Sequence, residues 1–196
     1  MIIFLGNDKT STAFNDIISD SKNDDDIVVS CQYRHKVPES LLFSHNCVNL
    51  HFGKLPEYGG CNSIYWQMKN KEQYAYVTLH YMDNDFDTGD IISFGRVFID
   101  NKTADEVYNE LLIEAVELLK CFYKDIIHNE APRVKQSIIR HRYYKKSAVN
   151  FDEVKYIDDL EDANALSYKG KQNPIVVING REWELTPYED RINKST

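Results

Sequence analysis

The stretch Cys47–Gly60, CVNLHFGKLPEYGG, decides how the chain is read. Its first half has the apolar character of a strand. Pro56 and the pair Gly59-Gly60 mark a loop directly after it. Side chains alternate faces along a strand, so Asn49 and His51 project together while Val48, Leu50 and Phe52 project to the opposite side. Two polar side chains on a buried strand cost about 1–3 kcal/mol each if they find no partner. They are therefore either a mutually satisfied structural pair or the wall of a cavity. In open parallel sheets ligands sit beyond the carboxyl ends of the strands, where this stretch turns into its loop.

Working outward, Met1–Leu5 and Ile27–Cys31 read as two further apolar strands. Between them Phe14, Ile17 and Ile18 suit a short helix over Ser11–Ser21, and Asp24–Asp26 reads as a solvated turn. Pro38–Phe43 reads as one or two helical turns and Cys61–Lys69 as a helix. Tyr74–Met82 and Ile91–Ile99 are rich in aromatic and β-branched residues and predict two long strands. Thr103, with Glu106 three residues on, forms a capping-box signature. It opens a helix to about His128, whose apolar residues Val107, Leu111, Leu112, Ala115, Leu118, Leu119, Phe122 and Ile126 keep a helical period. Strands alternating with helices predict an α/β fold with a mostly parallel sheet. The strand Met1–Leu5 is followed by Gly6 alone, so the glycine fingerprints of dinucleotide and P-loop folds are missing. After Pro132 the composition shifts. RHRYYKK (Arg140–Lys146) reads as a basic, solvated linker, Phe151–Leu166 as acidic and weakly helical, and Pro174–Leu185 as a hairpin around Asn179-Gly180. The expected division is a core over 1–146 and a small C-terminal module with a β-hairpin over 147–196.

Lys plus Arg number 23 against 31 Asp plus Glu, a formal charge of −8. That balance argues against nucleic acid as the main partner, because such affinity rests on Lys and Arg displacing counterions. No apolar run approaches the ~18–20 residues needed to span a bilayer. The N-terminal MIIFLGNDKT has no basic segment ahead of its apolar run, so a strand is expected there rather than a signal peptide. Cys31, Cys47, Cys61 and Cys121 are widely spaced without a CxxC pair, which fits buried thiols in a reducing, cytoplasmic setting.

The second informative stretch is Met82–Asp90, MDNDFDTGD. The alternation of Asp83, Asp85 and Asp87 suggests a calcium loop, but the sixth and twelfth places hold Thr88 and Phe94 where an EF-hand needs Gly and Glu. A solvated acidic turn is the other reading of these residues alone.

Taken in order, N-x-H at Asn49 and His51, L-P-x-Y-x-G at Leu55–Gly60, and V-T-x-H-x-M-D…D-T-G-D-I-I from Val77 to Ile92 resemble the formyltransferases that use 10-formyltetrahydrofolate. The likeness covers roughly Asp26–Ile99. It implies a Rossmann-like, mostly parallel sheet, shortened ahead of the N-x-H strand relative to most of the family. It also implies catalytic roles for Asn49, His51 and Asp87. Asn49 would offer amide donors to a tetrahedral oxyanion. His51 would move a proton or stabilise that oxyanion, and Asp87 would orient the imidazole or relay the proton. The folate pocket would draw on Gln32–Val37 and Met82–Asp87, making Tyr33, Arg34, His35, Met82, Asp83 and Asp85 candidate contacts. Gln32 stands where many relatives have Gly. Lys54, Glu57 and Tyr58 are candidates for the amine-side rim, whereas Tyr65, Trp66 and Gln67 read as helix core. The co-substrate implied is 10-formyltetrahydrofolate, with no metal.

Within the family the motifs resemble most the enzymes that formylate nucleotide-linked (dTDP or UDP) amino-dideoxy sugars, which implies a nucleotide sugar and a folate as ligands and a homodimer. No nucleic-acid or membrane partner is expected. Another amine acceptor such as methionyl-tRNA, hydrolysis of the formyl-folate, and a non-catalytic folate-binding role are the alternatives.

Overall fold

The computed structural model describes residues 2–20, 27–151, 157, 163–167 and 173–185. Its centre is a five-stranded sheet. The members are β1 (Ile2–Leu5), β2 (Ile27–Cys31), β3 (Asn46–His51), β5 (Tyr74–Tyr81) and β6 (Ile91–Phe98), in the order β1-β2-β3-β5-β6. A short β4 (Gly59–Gly60) lies outside this sheet. Strands β1, β2 and β3 are parallel, and β5 runs against both of its neighbours. β6 therefore points the same way as the first three, and the sheet is mostly parallel. The turn expected at Asp24–Asp26 lies outside the described residues.

One face of the sheet carries the main core. Val48, Leu50 and Phe52 of β3 and the stretch just after it meet Val77, Leu79 and Tyr81 of β5. All pack with Val107, Leu111, Ala115, Leu118 and Leu119 of the long helix α5 (Ala104–Ile127). Burying each such aliphatic side chain contributes about 1.5–3 kcal/mol, so this interface fixes which face of β3 is apolar. Helix α5 starts at the predicted capping box: the Thr103 N–H donates to Glu106 Oε2 at 2.7 Å and the Glu106 N–H to Thr103 Oγ1 at 3.3 Å.

The single helix expected over Ser11–Ser21 is two helices, α1 (Asp8–Ala13) and α2 (Asn15–Asp20), broken at Phe14. Phe14 is fully buried in the core, and its N–H turns back on Thr10 and Thr12 as a helix cap. Burial of the aromatic ring outweighs continuation of the helical ladder. The earlier start comes from Asn7, which caps α1 in a reciprocal pair with Thr10. Two further helices, α3 (Glu39–Ser44) and α4 (Ser63–Lys69), flank the strands as expected.

The segment expected to be a solvated linker is instead part of the fold. Tyr143–Tyr144 form β7, parallel to β4, with Gly59↔Tyr143 and Gly60↔Tyr144 in register. The backbones approach so closely that a Cβ on Gly60 would meet the backbone of Tyr144, and Gly60 has φ of 90°. Only glycine accommodates both conditions. Beyond it lie a short helix, α6 (Ala163–Leu166), and the predicted hairpin, β8 (Ile175–Ile178) with β9 (Arg181–Glu184). Its turn residues Asn179 and Gly180 have φ of 52° and 73°, the left-handed pair that a two-residue I′ turn requires. Val149, Ile157, Ala165 and Leu166 form a second apolar cluster with Tyr65, and Trp66, Phe151 and Leu185 pack on it. Tyr65 and Trp66 are thus committed to packing.

Candidate active site

The polar face of the β3–β5 pair is a ladder. Antiparallel register sets Asn49 opposite His80 and His51 opposite Thr78. Because both strands alternate in step, all four side chains share the face turned away from α5. Asn49 Nδ2 lies 3.2 Å from His80 Nε2, and His80 Nδ1 lies 2.7 Å from the Tyr81 carbonyl oxygen. A carbonyl only accepts, so Nδ1 of His80 carries the proton and donates it. Nε2 is then the acceptor for one N–H of the Asn49 amide, and the second N–H of that amide remains for another acceptor. His80 is 1% exposed, and burial pushes its pKa down from 6.5 to about 4 despite the attraction of the Asp87 carboxylate. It is therefore neutral near pH 7, as this hydrogen-bond pattern requires.

His51 is oriented by the same logic. Its Nε2 lies 2.7 Å from the carbonyl oxygen of Tyr58 and must donate to it. This leaves Nδ1 as the nitrogen free to exchange a proton, and it faces Asp87 Oδ1 at 3.5 Å. The Thr78 hydroxyl donates to the Gly53 carbonyl at 2.5 Å and accepts the Leu55 N–H at 3.2 Å, pinning the turn after β3 that presents Tyr58.

Asp87 reaches the ladder from the loop between β5 and β6. It sits in the left-handed region at φ 59°, uncommon for a residue with a Cβ and tolerated best by Asn and Asp. Its Oδ2 accepts the Gly60 N–H at 2.8 Å, while Oδ1 lies 3.8 Å from His80 Nε2. Asn49, His51 and Asp87, named from the sequence, thus converge on one place.

The other candidates are placed differently. The Tyr58 side chain is buried and turned to Glu72, to which its hydroxyl donates at 2.6 Å. What Tyr58 brings to the site is its carbonyl. Lys54 lies over the Tyr76 ring, with Nζ 5.2 Å from the centroid. Glu57 is half-buried and has Arg140 4.0 Å away. Tyr33 is half-buried against His35, and Arg34 and His35 are exposed on the loop after β2. Gln32 at the head of that loop has φ of 58°, the conformation in which Gly is the unstrained residue. Met82 follows β5, its N–H held by the Cys47 carbonyl at 2.8 Å. Asp83 caps its own loop, accepting from the Asp85 N–H and the Thr88 hydroxyl, whereas Asp85 is exposed. Among the described residues no group of His, Cys, Asp and Glu could hold a metal ion, and no helix is long and apolar enough to cross a membrane.

Sequence reasoning did not place His80 or Thr78 in the site, although V-T-x-H was part of the motif. The pairing register that brings them opposite Asn49 and His51 was the absent piece of information.

Residues 10–120 match the formyl transferase family. A methionyl-tRNA formyltransferase of Clostridioides difficile is 33% identical over 172 residues, which are 86% of this chain and 53% of that protein. The chain thus spans about half the length of this curated relative. Among solved structures, a sugar N-formyltransferase from Shewanella superposes with a TM-score of 0.73 at 18% identity, covering 95% of this chain and 96% of the other. An N-formyltransferase from Helicobacter canadensis, in complex with folinic acid and dTDP-3-aminofucose, gives 0.68 at 26% identity over 81% of this chain and 61% of its own. With more than half of its residues inside the family match and this fold around them, the chain belongs to the formyl transferase family.

Proposed function

We propose that the protein transfers a formyl group from 10-formyltetrahydrofolate to the amine of a nucleotide-linked amino sugar, at the cluster formed by Asn49, His51 and Asp87. The observation that carries the reaction is the fixed orientation of the two strand residues. The Asn49 amide is held by His80 with one N–H left to meet an oxyanion, and His51 is held by Tyr58 with Nδ1 left to move a proton. The attacking amine forms a bond to the formyl carbon, the bond from that carbon to the folate nitrogen breaks, and the amine's proton passes to the departing nitrogen. Asn49 stabilises the tetrahedral oxyanion. Nδ1 of His51 takes the proton from the amine and returns it to the leaving group, with Asp87 stabilising the imidazolium between the two transfers. Folate contacts are assigned to the loop Tyr33–His35 and to Met82–Asp85, and the amine-side rim to Lys54 and Glu57. Residues 1–146 form the catalytic core in this reading, and the working unit is a cytoplasmic homodimer.

The sugar acceptor is favoured by the likeness to the Helicobacter canadensis enzyme and by the net charge of −8, which opposes a tRNA phosphate backbone. The sequence relatives favour methionyl-tRNA as the second reading. Incubation with 10-formyltetrahydrofolate and a panel of dTDP- and UDP-amino sugars, against methionyl-tRNA, tests the choice by mass spectrometry. The reading requires formyl on an amino-sugar nucleotide. Formyl on methionyl-tRNA alone, or tetrahydrofolate release without an acceptor, rejects it.

A further inference from the structure

Residues 134–144 follow the family match, and only their last part, from Arg140, falls in the stretch expected to be linker, yet they run across both loops that shape the site. Val134 exchanges both backbone hydrogen bonds with Ile91, at 2.8 and 2.9 Å. The Arg142 N–H donates to the Pro56 carbonyl at 2.9 Å, and the Gly59 N–H returns a bond to the Arg142 carbonyl at 3.1 Å. Between these ends Gln136 is half-buried, while every other residue from Pro132 to Arg140 is exposed. Its Nε2 donates to the carbonyl oxygen of Asp87 at 2.9 Å and to that of Gly89 at 2.8 Å. Both partners can only accept, so the amide nitrogen must point at them.

The loop so held needs holding. It carries Asp83, Asp85, Asp87 and Asp90 in eight residues, and Asp87 itself is in the left-handed region. Like charges and backbone strain both favour opening it. Asp87 is also the one member of the catalytic group that no strand positions. Gln136 donates two hydrogen bonds to the backbone at and just after Asp87, and the same strap sets Gly59–Gly60, whose Gly60 N–H fixes the Asp87 carboxylate.

We infer that Gln136 is a positioning residue for Asp87, and that 134–144 is a strap which clamps the two site loops together. The inference rests on the proposed formyl transfer only for its kinetic readout. Gln136→Met keeps the length and removes the donors. In the full chain this substitution lowers kcat by about 10- to 100-fold, as expected for a displaced catalytic group, with a smaller rise in KM for the folate, because Met82–Asp85 share the loosened loop while Tyr33–His35 do not. In parallel, the ring 15N signals of His51 move toward those of an Asp87→Asn variant. If Gln136→Met does not fold, Gln136→Asn, one methylene short of both carbonyls, gives the same readouts with a smaller drop. Unchanged kcat, or a drop shared equally with folate binding, overturns the inference, as do His51 signals identical to wild type. If the wild type formylates no amine, the proposed function fails while the His51 signals still decide the role of Gln136.

Discussion

The two halves of the site are built in different ways. Asn49, His51, Thr78 and His80 stand on the central β3–β5 pair, where register alone sets their spacing and α5 packs the opposite face. Asp87 stands on an acidic loop and is brought to His51 by single contacts: the Gly60 N–H to its carboxylate and Gln136 to its carbonyl. The strand-borne half is positioned by the same bonds that make the sheet, so a substitution there removes chemistry and leaves geometry. The loop-borne half is positioned by bonds that serve no other purpose, so a substitution there removes both. Sites that need a fixed electrostatic environment benefit from the first arrangement, and loops that must admit a substrate favour the second.

The largest effect separates the halves by activity against stability. Asn49→Ala should lower kcat by about 10²–10³-fold, as loss of an oxyanion donor does, and cost about 1–3 kcal/mol because Nε2 of the buried His80 loses its donor. Asp87→Ala should lower kcat comparably and lower the melting temperature further, costing about 1 kcal/mol more, because the Gly60 N–H loses its acceptor and Ala tolerates the left-handed backbone less well than Asp. Paired steady-state kinetics and thermal melts check both, and equal melting temperatures for the two variants would erase the distinction.

A pH experiment sharpens the strand-borne half. His80 is held neutral, its pKa pushed from 6.5 to about 4 by burial. Between those values the unfolded chain binds a proton that the folded chain refuses. The contribution of the neutral ring is complete above about pH 6.5 and is lost as pH falls toward about 4, by about 3 kcal/mol. Urea titrations across this window should show that slope in the wild type and a shallower one in His80→Leu. The same slope in both would mean that His80 is not the group responsible.

The smallest effect lies on the loop after β2. Gln32→Gly relieves a left-handed residue at the expense of greater freedom in the unfolded chain, so a net gain of no more than about 1 kcal/mol is expected by thermal melt. A loss would mean that the Gln32 side chain contributes contacts outweighing its backbone strain.

The contrast also explains what could be read from sequence. Alternation along Cys47–Phe52 separated the polar face from the apolar one correctly, because both periods are local and the core obeys them. The capping box at Thr103 and the Asn179-Gly180 turn were legible for the same reason. His80 was visible as a motif residue but not as the partner of Asn49, since that requires the register of two strands separated by a helix. Gln136 was invisible. Its contacts are to backbone carbonyls almost fifty residues away in sequence, and a backbone carbonyl has no residue signature. The basic composition of RHRYYKK suggested solvent, while the decisive signal for its pairing lay in its partner, the glycines at 59 and 60.

A crystal structure of the protein with a formyl-folate analogue and the amine acceptor together decides whether Asn49 and His51 carry the transfer. The formyl oxygen should lie within hydrogen-bond reach of Asn49 Nδ2 and the acceptor nitrogen within reach of Nδ1 of His51. A folate bound elsewhere on the chain, or an acceptor amine remote from His51, would contradict those roles.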